Sequence, residues 1–172
     1  KNERDLLYDY VKSINIPEGK VYLLDYISDE LLANLYAASE LFIFPSLYEG
    51  FGLPVLEALR SGTPVITSNI SSLPEIVGEA GITVDPNNFE EISQRAIDIL
   101  TDKQLSDKLI DNAKKQAGKF TWANVGKISI KSFNDLFARE HSCVPVSTAN
   151  TNLKPKLAFL SPLNPQPSGI SD

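Results

Sequence analysis

Very short apolar runs alternate with longer segments of helical spacing, and this alternation constrains the chain more than any other feature. Residues 21–24 (Val-Tyr-Leu-Leu), 41–44 (Leu-Phe-Ile-Phe), 64–67 (Pro-Val-Ile-Thr) and 82–84 (Ile-Thr-Val) read as strands. The second of these is apolar throughout, which suits a strand covered on both faces. Between and after them lie helical patterns. Residues 6–14 carry Leu6, Leu7, Tyr10, Val11 and Ile14 at helical spacing, and Ser28 can cap a helix over 29–39. A helix over 53–61 has Pro54 in its first turn and Gly62 just past its end. Further helices are expected over 89–100, 103–117 and 122–139, the last capped by Thr121. Strands alternating with helices at this spacing imply an α/β fold, a parallel sheet with helices on both faces.

The 172 residues hold 16 basic and 22 acidic side chains, a net charge of −6, which argues against a nucleic-acid partner. No apolar run approaches the roughly 20 residues that span a bilayer. A single cysteine, Cys143, excludes an internal disulfide and suits a reducing compartment. His141 is the only histidine and lies outside the patterned region, so histidine-based hydrolase sites are poor readings. His141 with Cys143 supplies too few ligands for structural zinc. No P-loop is present, and no metal or cofactor is expected. Gly50-Phe51-Gly52 begins like a dinucleotide fingerprint, but Val55 stands where a third glycine is needed, which disfavours an oxidoreductase.

The informative stretch runs from Phe44 to Pro64, FPSLYEGFGLPVLEALRSGTP. It leaves a buried-type strand and opens a helix, and ligands of open α/β sheets sit beyond the carboxyl ends of strands. The first helical turn offers unpaired N–H groups and a partial positive charge, which hold phosphate. Gly50 and Gly52 let a ligand approach the backbone. Glu49 and Glu57 frame this loop. Carboxylates accept from two neighbouring hydroxyls at once, so the pair fits a nucleotide sugar as readers of its diols. Two solvated acids around a tight turn are the plainer alternative.

The same stretch resembles the group 1 family of retaining glycosyltransferases, whose architecture (GT-B) faces two Rossmann-like domains across a cleft. The resemblance rests on Glu49 and Glu57 with seven residues between them, on Phe44-Pro45-Ser46 before them and on Ser61-Gly62-Thr63-Pro64-Val65-Ile66 after them. Tyr26-Ile27-Ser28-Asp29-Glu30-Leu31, Leu73-Pro74-Glu75-Ile76-Val77, Ala80-Gly81, Val84-Asp85-Pro86 and Phe120-Thr121-Trp122 extend it over residues 1–139. It implies a retaining transferase that moves a sugar, of hexosyl type, from a nucleoside-diphosphate donor to a hydroxyl of a glycan or lipid-linked acceptor. Glu49 would contact the donor sugar near the reacting centre, as the catalytic member, and Glu57 the ribose hydroxyls. Gly50 and the backbone of Phe51, Gly52 and Leu53 would meet the sugar and distal phosphate, and Tyr26 and Ile27 would lie near the base. A non-catalytic nucleotide-sugar-binding module is the alternative.

One departure stands out: no Lys or Arg occurs between Leu41 and Leu59. The family supplies cationic charge from an Arg and a Lys upstream. Residues 1–140 are therefore expected to be a partial C-terminal donor-binding domain, truncated on its N-terminal side, and the chain a piece of a longer polypeptide that lacks its N-terminal acceptor domain and is inactive alone. From His141 onward the sequence holds five of the eleven prolines. Residues 141–155 read as a linker. Residues 156–172, KLAFLSPLNPQPSGISD, resemble the first strand and glycine loop of a second transferase module. Such tandem enzymes suit polysaccharide assembly in the cytoplasm, at the inner face of the membrane.

Overall fold

A computed structural model describes residues 3–17 and 19–140. The linker and second-module readings lie outside the described residues. The chain divides into two compact units after Lys127. In the first, α1 (Glu3–Ser13) and α2 (Asp29–Ala38) precede β1 (Phe42–Phe44). Then come α3 (Leu53–Ser61), β2 (Val65–Ser68), α4 (Leu73–Val77), a single 3-10 turn (Gly78–Ala80) and β3 (Gly81–Val84). The helices α5 (Phe89–Thr101), α6 (Lys103–Ala117) and α7 (Trp122–Glu140) complete the order. Described residues of the second unit, 128–140, belong to α7.

The three strands form one parallel sheet in the order β1-β2-β3. Phe42 pairs with Val65 and Val65 with Gly81. β2 is the central strand, and all four of its residues are buried. Its side chains alternate between two cores, as the pleat requires. Val65 joins Val55, Ala58, Leu59, Leu73, Ile76 and Val77 beneath α3 and α4. Ile66 joins Val84, Ile99 and Leu109 beneath α5 and α6. The expected two-faced α/β sheet is what the chain forms.

Two expectations are corrected. Residues 21–24 form no strand. No described strand lies beside them, and Val21, Tyr22 and Leu24 are exposed. An apolar run becomes a strand only when a neighbour takes its backbone groups. β1 is also less covered than its composition implies. It is the sheet's edge, with Phe42 and Phe44 turned to the first core and Ile43 left 41% exposed. A third feature escapes periodicity altogether: α4 spans only five residues.

The boundaries of α3 follow from local chemistry. Gly52 precedes it at φ +100°, and its carbonyl accepts from Val55 and Leu56 at 3.1 and 3.2 Å. Pro54 occupies the first turn, where its missing donor is not needed. Gly62 closes the helix at φ +79° in the left-handed region.

Candidate functional site

The β1–α3 loop, residues 45–52, leaves the carboxyl end of the sheet. A row of hydroxyls from β2 and the loop after it holds it down. Thr67 Oγ1 donates to the Phe44 carbonyl at 2.9 Å and Ser68 Oγ to the Ser46 carbonyl at 2.5 Å. Both residues are fully buried, so these bonds also satisfy polar groups within the sheet. Ser71 Oγ donates to the Glu49 carbonyl at 2.6 Å and accepts the Glu49 N–H at 3.2 Å. Ser72 Oγ lies 3.0 Å from the Glu49 carbonyl and 2.9 Å from that of Phe51.

Glu49 is half-buried, and its carboxylate takes no hydrogen bond or ion pair among the described residues. Its main chain is bonded and its head group is unspent. Gly50 is exposed, with nothing within 4 Å of where a Cβ would sit. Gly52 is the opposite case. A Cβ there would lie 2.8 Å from Leu73 Cδ2, and the positive φ excludes most side chains independently. The N–H groups of Phe51, Gly52 and Leu53 donate to no described acceptor. They lie at the N-terminus of a nine-residue helix, the arrangement that binds anions. The Phe51 ring packs edge-on against Phe120, with centroids 5.8 Å apart.

Glu57 is anchored elsewhere, to α2. Tyr36 Oη donates to Glu57 Oε2 at 3.3 Å. Tyr36 is only 8% exposed, and its ring meets Phe42 edge-on. Burial, then the charge of Glu57 and the hydrogen bond to it, push the tyrosine pKa from 10.0 up to about 12. The folded chain thus keeps the phenol protonated where an unfolded chain would lose the proton. The stability so linked is complete below pH 10 and lost as pH rises toward about 12. Between about pH 9 and about pH 11 the expected loss is on the order of 1 kcal/mol, and Tyr36→Phe should remove it. Urea unfolding of both chains at about pH 9 and about pH 11 checks this, since equal alkaline losses would refute the linkage.

A groove of about 350 Å³ opens beside Glu57, with Asp29, Tyr36 and Arg60 among its walls. Tyr26 and Ile27 directly precede the Ser28 cap of α2, whose first residue, Asp29, lines this groove. Tyr26 is 94% exposed and Ile27 half-buried. Asp29 and Glu57 thus line one groove, whose walls include neither Tyr26 nor Ile27, while Glu49 is tied to the β2–α4 loop. A larger recess of about 490 Å³ includes Thr63 and Pro64, at the amino end of β2, away from every candidate residue. Size does not mark the site here. Between Lys20 and Arg95 the only cationic side chain is Arg60, and its Nη2 donates to the Phe120 carbonyl at 2.8 Å.

Sequence reasoning missed Ser71, Ser72 and Tyr36 as partners of the two glutamates. The serines follow a buried strand at its carboxyl end, the one local signal that marks them. Tyr36 reads as an apolar helix position, and nothing near it announces Glu57.

Residues 1–116 match the family model described as glycosyl transferases group 1. The O-antigen chain mannosyltransferase B of Escherichia coli is 41% identical over 131 residues, covering 76% of this chain and 34% of that protein. A serotype-specific mannosyltransferase, WbdA, from Escherichia coli is 37% identical over 125 residues, covering 73% of this chain and 15% of that protein. Among solved structures, the sucrose-phosphate synthase of Thermosynechococcus elongatus superposes with a TM-score of 0.68 at 30% identity, over 79% of this chain and 35% of that one. The chain therefore spans about a third or less of the length of these relatives. The hydroxyl-pinned loop, the unpaired N–H groups at α3 and the two glutamates lie within the matched region, and this chain belongs to the group 1 glycosyl transferases.

Proposed function

We propose that the protein carrying this chain transfers a sugar from a nucleoside-diphosphate donor to a hydroxyl of a glycan or lipid-linked acceptor, with retention at the anomeric carbon, and that this chain forms the donor half of its site. The observation that carries the reading is Glu49: a carboxylate with a fixed main chain and an unspent head group, beside three unpaired N–H groups at a helix N-terminus. Donor hydroxyls are the natural partners of such a carboxylate, and a distal phosphate those of the N–H groups. Glu57, oriented by Tyr36, accepts from the ribose hydroxyls, and the loop holding Tyr26 and Ile27 borders the base. Mannose is the proposed sugar, because both Escherichia coli relatives are named as mannosyltransferases. Assembly of a surface polysaccharide is the proposed setting. It would be cytoplasmic, and no helix among the described residues is long and apolar enough to cross a membrane.

In a same-face transfer the departing phosphate oxygen takes the acceptor proton, so the protein must stabilise negative charge on the diphosphate. The end of α3 supplies about half a unit of positive charge. No cationic side chain occurs in the loops at the carboxyl end of the sheet. The remaining charge is assigned to an Arg and a Lys of the same protein upstream. That shortage also favours the second reading, a module that binds donor without turnover. Two intact glutamates weigh against it. A donor screen of the whole protein, scoring released nucleoside diphosphate across sugar nucleotides, tests the proposal. Release with a mannosyl donor and an acceptor supports it, and binding without release favours the module. Glu57→Gln is expected to weaken donor binding about 10-fold or more with kcat little changed, the cost of one charge-assisted hydrogen bond. Isothermal titration with the donor, beside steady-state rates, checks the split.

A further inference from the structure

Ser71 adopts φ +60°, left-handed backbone that residues other than glycine, asparagine and aspartate rarely take. Glycine would fit that backbone without strain but would bring no hydroxyl. Here the hydroxyl accepts the Glu49 N–H and donates to the Glu49 carbonyl, one donor and one lone pair used on the same residue. Bonds to both sides of one Cα fix its φ and ψ, and with them the direction of its Cα–Cβ bond. The Ser72 hydroxyl has a single proton, which the carbonyls of Glu49 and Phe51 share across Gly50. Gly50 has neither a positive φ nor a crowded Cβ position, so its own conformation does not explain the fixity of the loop.

The platform beneath the two serines is packed into the core. Ser72 leads into α4, whose Leu73, Ile76 and Val77 are buried in the core. At the far end of α4, the buried Gln116 amide donates to the carbonyls of Glu75 and Ile76 at 3.1 and 3.0 Å. Strain held at a residue whose side chain grips a candidate site is the kind of outlier that points to function.

We propose that Ser71 and Ser72 form a hydroxyl clasp that aims the Glu49 carboxylate at the donor sugar, making both serines positioning residues that act through the Glu49 main chain. The proposal rests on the reading of Glu49 given above and adds to it the residues that set its direction.

The test uses the whole protein with Ser71→Gly, Ser72→Ala, Ser72→Thr, Glu49→Gln and the double variant Glu49→Gln/Ser72→Ala. With a mis-aimed carboxylate, kcat falls about 10-fold or more in Ser71→Gly and in Ser72→Ala while donor KM stays within about threefold. Ser72→Thr restores the hydroxyl and most of kcat. Because the clasp works through Glu49, the Ser72→Ala loss disappears on the Glu49→Gln background, whereas a merely structural role would give additive losses. Amide exchange supplies a readout independent of turnover: exchange of the Glu49 amide, whose N–H the Ser71 hydroxyl accepts, speeds up in Ser71→Gly and that of β2 does not. Additive losses, near-wild-type kcat in both serine variants, or unchanged exchange would each overturn the clasp. Wild-type turnover in Glu49→Gln would overturn the reading of Glu49 as well. An impaired Glu49→Gln beside unimpaired serine variants would overturn the clasp alone.

Discussion

Glu49→Gln, in the protein that carries this chain, should lower kcat by about 10- to 150-fold, the equivalent of losing one charge-assisted hydrogen bond worth roughly 1.5–3 kcal/mol. The substitution keeps shape and removes only charge. Because the Glu49 carboxylate makes no bond of its own among the described residues, its loss should not unfold the loop, and the melting temperature should hold. If the carboxylate meets charge that develops on the sugar during transfer, kcat falls and donor KM stays within a few-fold. Steady-state rates over a donor series decide the matter. Unaltered kcat and KM together would remove Glu49 from the site, and a raised KM with unaltered kcat would make it a ground-state binder.

The largest stability effect is expected at Gly81, where Gly81→Ala should cost about 3 kcal/mol or more. Gly81 opens β3 in extended backbone and pairs with Val65 of the central strand. A Cβ there would lie 2.5 Å from the Val65 carbonyl oxygen and 2.5 Å from Val77 Cγ2. One neighbour is backbone in the sheet and the other a fully buried side chain, so neither can give way without shifting β3 or α4. Backbone conformation is not the cause here; space is. Gly50→Ala is the control, expected within about 0.5 kcal/mol because the added carbon meets open space. Urea midpoints of the two variants against the parent chain give the comparison, and equal midpoints would refute the packing argument.

What the sequence disclosed and what it withheld divide along the range of the interactions. The strand at residues 42–44 and the limits of α3 are legible because hydrophobic pattern, Pro54 and Gly62 act within a few residues. Residues 21–24 carry the same apolar signal as 41–44 yet form no strand, because strand formation depends on a neighbour the local pattern does not encode. α4 has too few residues to show a period. The spacing of Glu49 and Glu57 drew attention to both. Their separate anchors, Ser71 with Ser72 and Tyr36, lie more than twenty positions away in the chain and leave no periodic trace. The unpaired N–H groups at α3 were expected from its position after a strand. The hydroxyls that hold its loop were not.

The row of hydroxyls from Thr67 to Ser72, each set on a carbonyl between Phe44 and Phe51, ties two loops into one interlocked part. Each bond spans 21 to 23 residues. Inserting or deleting one residue in either loop would throw every later hydroxyl off its carbonyl. The two loops therefore cannot be redesigned separately. An engineer who wants to reshape this end of the sheet should transplant residues 44–72 as a block, or leave the block alone and vary the segment before α2, which these hydroxyls do not bond.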